Sequence, residues 1–191
     1  MKHTGARSAG TCIATISRMA QSAETSGSQK AHDNFFELLS KFDNAMLVTQ
    51  SGPAGSLHAR PMAIAETGTD GSLWFITGAD TLKIDEIQAH EQVLAVLQNQ
   101  KQWLSISGRA ELDRDRAHVQ KVWTESFRVW FDGPDDPNIV LIHLRPSEAE
   151  YWDLSGVKKG LKFALQYANA YVSGKPLRGP QDPDTHAKIQ M

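Results

Sequence analysis

The chain has one cysteine, Cys12, in 191 residues. No intrachain disulfide is possible, no thiolate metal site can be assembled, and a reducing compartment fits. Neither sign of charge is in excess: 20 Lys and Arg stand against 22 Asp and Glu, a formal −2. With a pI near 6.4, nothing electrostatic points to nucleic acid or another polyanion. Any anion site must be local. No run approaches the roughly 18 apolar residues of a membrane-spanning helix, so the chain reads as soluble. The histidines, His3, His32, His58, His90, His118, His143 and His186, are scattered without an HExxH or His-x-His pair, which argues against a metal centre. A Gly-rich strand-to-helix fingerprint is missing too.

What remains fits one domain with extensions. Ser, Ala, Gly and Gln dominate residues 20–30, a composition that cannot offset ordering entropy, so 1–30 is expected to be a disordered extension. Lys2 and Arg7 precede the Thr11–Ile16 run, but threonines break it, which argues against a secretory signal; Met19 is an alternative start. Pro176, Pro180 and Pro183 mark 173–191 as a flexible tail, leaving 31–172 as the domain.

Phe35, Leu38, Leu39 and Phe42 fall at i, i+3, i+4 and i+7, the face of a helix from about Ala31 to Phe42. Ala45–Thr49 reads as a buried strand ending in a Gly-Pro turn, followed by strands at Leu57–Glu66 and Ser72–Thr77 across an Asp70-Gly71 turn. A helix over Asp80–His90 precedes strands at Val93–Leu97 and Trp103–Leu112. In the latter, Ser105, Ser107 and Arg109 alternate with Leu104, Ile106 and Ala110, and Gly108 marks a bend or bulge. Arg114–Trp130 is helical with a break near Thr124. Trp130 is expected to pack with Phe127 against the main body. Ile139–Leu144 and Ala149–Leu154 read as two more strands before a helix over Val157–Tyr171. Short strands joined mostly by hairpins predict a mainly β, α+β fold: an antiparallel barrel with helical additions.

One stretch carries chemistry. Arg60 leaves one strand, Thr77 ends the next, and Gly78-Ala79-Asp80 turns into a helix whose first turn holds Thr81 and Lys83. A guanidinium fork, an ammonium, two hydroxyls and helix-start N–H groups are what a phosphate needs. The same residues also read as solvated charges, a strand end and a helix cap, and spacing alone favours that ordinary reading. His58 shares Arg60's strand parity; a structural, hydrogen-bonded role outranks a catalytic one. His143 reads as a satisfied sheet histidine, Asp113 and Asp115 as helix-capping residues, and Asp132, Asp135 and Asp136 as a solvated loop.

Leu57-His58-Ala59-Arg60-Pro61-Met62, Leu73–Thr77, Thr81-Leu82-Lys83, Trp103–Ala110 and Glu150–Asp153 together resemble the general stress protein 26 family of pyridoxamine 5'-phosphate oxidase-like, FMN-binding split barrels. The resemblance covers roughly Phe35 to Leu154. It implies an antiparallel split β-barrel and a cytoplasmic homodimer with FMN, or FAD, at the subunit interface. Arg60, Thr77, Thr81 and Lys83 would hold the flavin phosphate, with Leu82 among them. Pro61, Met62, Ala63, Phe75 and Ile76 would line the ring system. Gln102, Ser105 and Trp152 would come from the partner subunit. No metal is implied.

Pyridoxamine phosphate oxidases carry an arginine-histidine pair near the C-terminus that engages the substrate phosphate. Here a Lys158-Lys159 helix and a Pro-rich tail stand instead, which argues against that activity. A stress protein that binds or buffers flavin is the leading reading. The alternative is an FMN-dependent oxidoreductase acting on a small molecule with NAD(P)H as donor. A deazaflavin or a haem is a third option, haem needing an axial ligand from His58, His90 or His143.

Overall fold

A computed structural model of the chain describes residues 26–52, 55–174 and 184–191. Cys12, Met19, the Thr11–Ile16 run, Pro176, Pro180 and Pro183 lie outside the described residues. The first helix, α1, spans 26–39, starting inside the expected extension and stopping short of Phe42. Seven strands follow: β1 (Asn44–Ser51), β2 (Ser56–Thr67), β3 (Leu73–Gly78), β4 (Gln92–Gln98), β5 (Gln102–Asp113), β6 (Ile139–Asp153) and β7 (His186–Gln190). Between them lie α2 (Leu82–Ala89), α3 (Arg116–Val122), a 3-10 turn at Glu125–Val129, and α4 (Val157–Ser173).

All pairings are antiparallel, in the order β3-β2-β1-β4-β5-β6-β7, and β3 also pairs with β6. Six strands therefore close into a barrel, with β7 added along β6. This is the antiparallel split β-barrel with helical additions expected above. Period-two alternation puts Leu104, Ile106 and Ala110 of β5 inside and leaves Trp103, Ser105 and Ser107 half-exposed on the outer wall. Phe35, Leu38 and Leu39 of α1 join Leu47, Phe75, Ala95 and Tyr151 in the same core. Each fully buried Leu or Phe there stabilises by about 1.5–3 kcal/mol.

Three expectations are corrected. Ile139–Leu144 and Ala149–Leu154 are halves of one strand, because a bulge absorbs the Pro146-Ser147 interruption: Ser107 faces Glu148 while Gly108 faces Pro146. Gly108 is required at that close approach, since a Cβ there would lie 2.0 Å from the Arg145 carbonyl oxygen. Part of the expected tail is ordered: His186–Gln190 pairs with Glu148–Trp152, burying Ala187 and Ile189. Trp130 is exposed; Phe127 packs instead, edge-on to Trp123, in a second core with Ile76, Val119, Val122, Ile139 and Leu141.

His118 clips α3 to the barrel, bonding Asp113 at 3.0 Å and Glu66 at 3.1 Å. Burial alone would lower its pKa, but the two carboxylates outweigh burial and raise it. His118 meets Trp74 edge-on, and His143 stacks on Trp74 at 3.7 Å. His143 is thus held by stacking, with Nε2 buried and lacking a hydrogen-bond partner, which corrects its reading as a satisfied residue. Burial, then the Arg145 charge, lowers its pKa.

No helix among the described residues is long and apolar enough to cross a membrane. Among the same residues, no group of His, Cys, Asp and Glu is placed to hold a metal.

Candidate anion and cofactor site

The strand β2 changes partners along its length. Ser56–Ala63 pairs with β1, whereas Ile64, Glu66 and Thr67 pair with β3 across a bulge at Ala65. On the edge away from β1, Pro61–Ala63 has no ladder partner among the described residues, and Ile76–Gly78 of β3 has none on its β2 side. The two strands splay into a seam at this end.

Beyond the seam, Gly78-Ala79-Asp80 turns the chain into α2. Asn138 fixes the turn: its carbonyl accepts from the Ala79 N–H at 2.7 Å, and its side-chain amide donates to Asp80. Thr81 holds the N-cap position of α2 but makes no side-chain cap. Its hydroxyl donates instead to the Gly78 carbonyl at 2.8 Å. Lys83 reaches back and donates to the buried Thr77 hydroxyl at 2.9 Å, with the Thr77 and Thr81 oxygens 3.5 Å apart. Thr77, Thr81 and Lys83 are thus one hydrogen-bonded group.

Arg60 belongs to a second hydrogen-bonded group, built on a carboxylate that the sequence reading did not single out. Its guanidinium, 22 % exposed, donates to Glu86 at 2.7 Å. Glu86, 6 % exposed, also accepts from the Thr49 hydroxyl at 2.6 Å and bonds His58 Nδ1 at 2.7 Å. Burial would raise the Glu86 pKa, but bonds from Arg60, Thr49 and His58 overcome it and lower it to about 2. Burial lowers the Lys83 pKa and the Arg60 charge lowers it further, while Glu86 and Asp80 pull the other way. The available signal was Glu86 three residues after Lys83, on one helix face with it.

The other predicted residues divide by position. Leu82 and Pro61 are exposed. Met62 and Phe75 are buried in the main core, and Ala63 and Ile76 belong to the second. The Phe75 side chain is therefore closed to a ligand, and its backbone is laddered on both edges, to Ile64 and to Ile142. Gln102, Ser105 and Trp152 are not brought to the clamp. Gln102 is buried and engaged by Asp153, Ser155 and Asn99. Trp152, 37 % exposed, stacks on His186 with ring centroids 5.0 Å apart. Arg60 faces Leu47 in register and so shares the inward parity of Ala95 and Ile106. Ser105 has the opposite parity, three strands round the wall, roughly 14 Å across the sheet.

The fold is that of the antiparallel split barrels, with Arg60 and Lys83 beside a seam at one end. The chain belongs to the pyridoxamine 5'-phosphate oxidase-like family, whose model matches residues 30–177. Protein bli-3 of Neurospora crassa is 29 % identical over 161 residues, covering 78 % of this chain and 75 % of that protein. General stress protein 26 of Bacillus subtilis is 26 % identical over 99 residues, 49 % of this chain and 69 % of that protein. Among solved structures, the general stress FMN/FAD binding protein of Xanthomonas citri is 27 % identical, with a TM-score of 0.57 over 67 % of this chain and 92 % of that one.

Proposed function

We propose that this protein binds a flavin, FMN or FAD, with its phosphate held by Arg60, Thr77, Thr81 and Lys83, and acts in stress by binding or buffering that flavin. One observation carries the reading: Arg60 and Lys83 are brought, partly desolvated, beside the seam, Arg60 paired with the buried Glu86 and Lys83 bonded to the neutral Thr77 hydroxyl. Lys83 makes no ion pair among the described residues, its bond going to the Thr77 hydroxyl, and an anion joined to a flat polar ring would answer both that charge and the backbone seam. The FMN/FAD binding named for the Xanthomonas citri relative supports the same ligand. A bound flavin supplies hydride and electron transfer. This chain's residues supply binding and orientation, and none stands out as a general base.

A cytoplasmic homodimer belongs to the proposal. Arg60 and Ser105 face opposite sides of one sheet, so a flavin touched by both needs two copies of the chain. Exposed Leu161, Leu165 and Val172 of α4 add apolar surface that suits a partner.

The test is a flavin titration of purified protein, followed by its visible spectrum. Arg60→Ala and Lys83→Ala are each expected to weaken FMN by about 1–3 kcal/mol while leaving riboflavin, which lacks the phosphate, nearly unchanged. Equal losses for both ligands contradict the clamp. Rapid anaerobic bleaching by NADH or NADPH would shift the reading to an FMN-dependent oxidoreductase; persistent colour supports a binding role.

A further inference from the structure

Glu86 holds two nitrogen donors on its two oxygens: Arg60 on Oε2 and His58 on Oε1, both at 2.7 Å. A carboxylate with a pKa of about 2 has no proton to give at neutral pH, so His58 Nδ1 is the donor. The ring's other nitrogen points away from Glu86. Among the described residues, His58 Nε2 makes no hydrogen bond. His58 also stands outside Arg60, 48 % against 22 % exposed, one strand repeat farther along the same face of β2, about 7 Å on.

We propose that His58 Nε2 is a second anion contact on the exposed side of Arg60 and takes the distal phosphate of a flavin dinucleotide. The inference rests on the flavin reading. A mononucleotide ends at the inner clamp, whereas a dinucleotide continues outward from the same phosphate. His58 is where that continuation meets a donor. To bond Glu86 and a phosphate together, the ring carries protons on both nitrogens. The charged groups around it are Glu86 of α2 and Arg60 of its own strand, with Lys83 of α2 beyond Arg60; Thr49 of β1 adds a hydroxyl. Glu86 then lies on one side of the imidazolium and the distal phosphate on the other, which stabilises the charged ring. A residue serving only to prop Glu86 would affect every flavin alike.

The experiment titrates riboflavin, FMN and FAD calorimetrically into wild type, His58→Ala and His58→Lys. His58→Ala is expected to weaken FAD about tenfold and to change FMN less than about threefold. His58→Lys, which restores a cationic donor, is expected to recover most of the FAD affinity. The FAD-to-FMN ratio is measured on one folded population, so partial unfolding does not move it. Parallel losses for both ligands, an unchanged ratio, or a wild type that binds FMN but not FAD overturns the inference and leaves the flavin reading intact. A wild type that binds no flavin overturns both.

Discussion

Glu86 shows how one buried carboxylate can gather donors from two strands, Thr49 of β1 and His58 and Arg60 of β2. Its pKa of about 2 lies below the ordinary 4.5, so the stabilisation it provides is fully present above the unfolded value. It disappears as pH falls through the folded value. Glu86→Gln is therefore expected to cost on the order of 2–3 kcal/mol at pH 7 and to flatten the acid limb between about pH 4.5 and 2. Urea unfolding at pH 7, 4 and 3 checks this; a variant with wild-type stability and the same acid limb contradicts it. Arg60, Thr77, Thr81 and Lys83 were legible as candidates because their chemistry is local: a strand end, a turn and a first helical turn within 24 residues. Glu86 was not, because a lone carboxylate on a short helix reads as a surface charge. Only the fold brings Thr49, His58 and Arg60 onto it.

At the next scale, strands were easier to read than their joins. The alternation in Trp103–Leu112 gave β5 and its inner face, and the break near Thr124 corresponds to the gap between α3 and the 3-10 turn. Pro146-Ser147 looked like an end, because neither residue reveals that the partner strand can bend around it. Gly108 is that accommodation. Gly108→Ala is expected to destabilise by about 1–3 kcal/mol, since its Cβ would strike the Arg145 carbonyl oxygen of the opposing strand. Thermal unfolding measures this, and an unchanged midpoint would show that the bulge can relax. β7 was missed for a different reason: five residues with two inward side chains, Ala187 and Ile189, follow three prolines, and their partner lies in β6. Such long-range pairing leaves little local trace.

For the whole molecule, the antiparallel barrel followed from hairpin spacing, but its strand order and a second copy of the chain cannot be read from pattern. The proposed division of labour, clamp from one chain and Trp152 from the other, makes a subunit-mixing prediction. Arg60→Ala and Trp152→Ala homodimers should each bind FMN weakly. Unfolded together and refolded, they should form hybrids with one doubly damaged and one intact site, restoring wild-type affinity at about a quarter of all sites. Flavin fluorescence titration of the mixture reads this directly. If mixing restores nothing, the two residues do not serve one site in trans.

The change of partner along β2 also bears on how long the protein survives. Between Pro61–Ala63 and Ile76–Gly78 the wall lacks its rungs. Under the flavin reading the ligand supplies them, so an empty chain is an incompletely knit barrel that opens more often and meets proteases sooner. Cellular abundance would then track flavin supply, with no regulator beyond the seam itself.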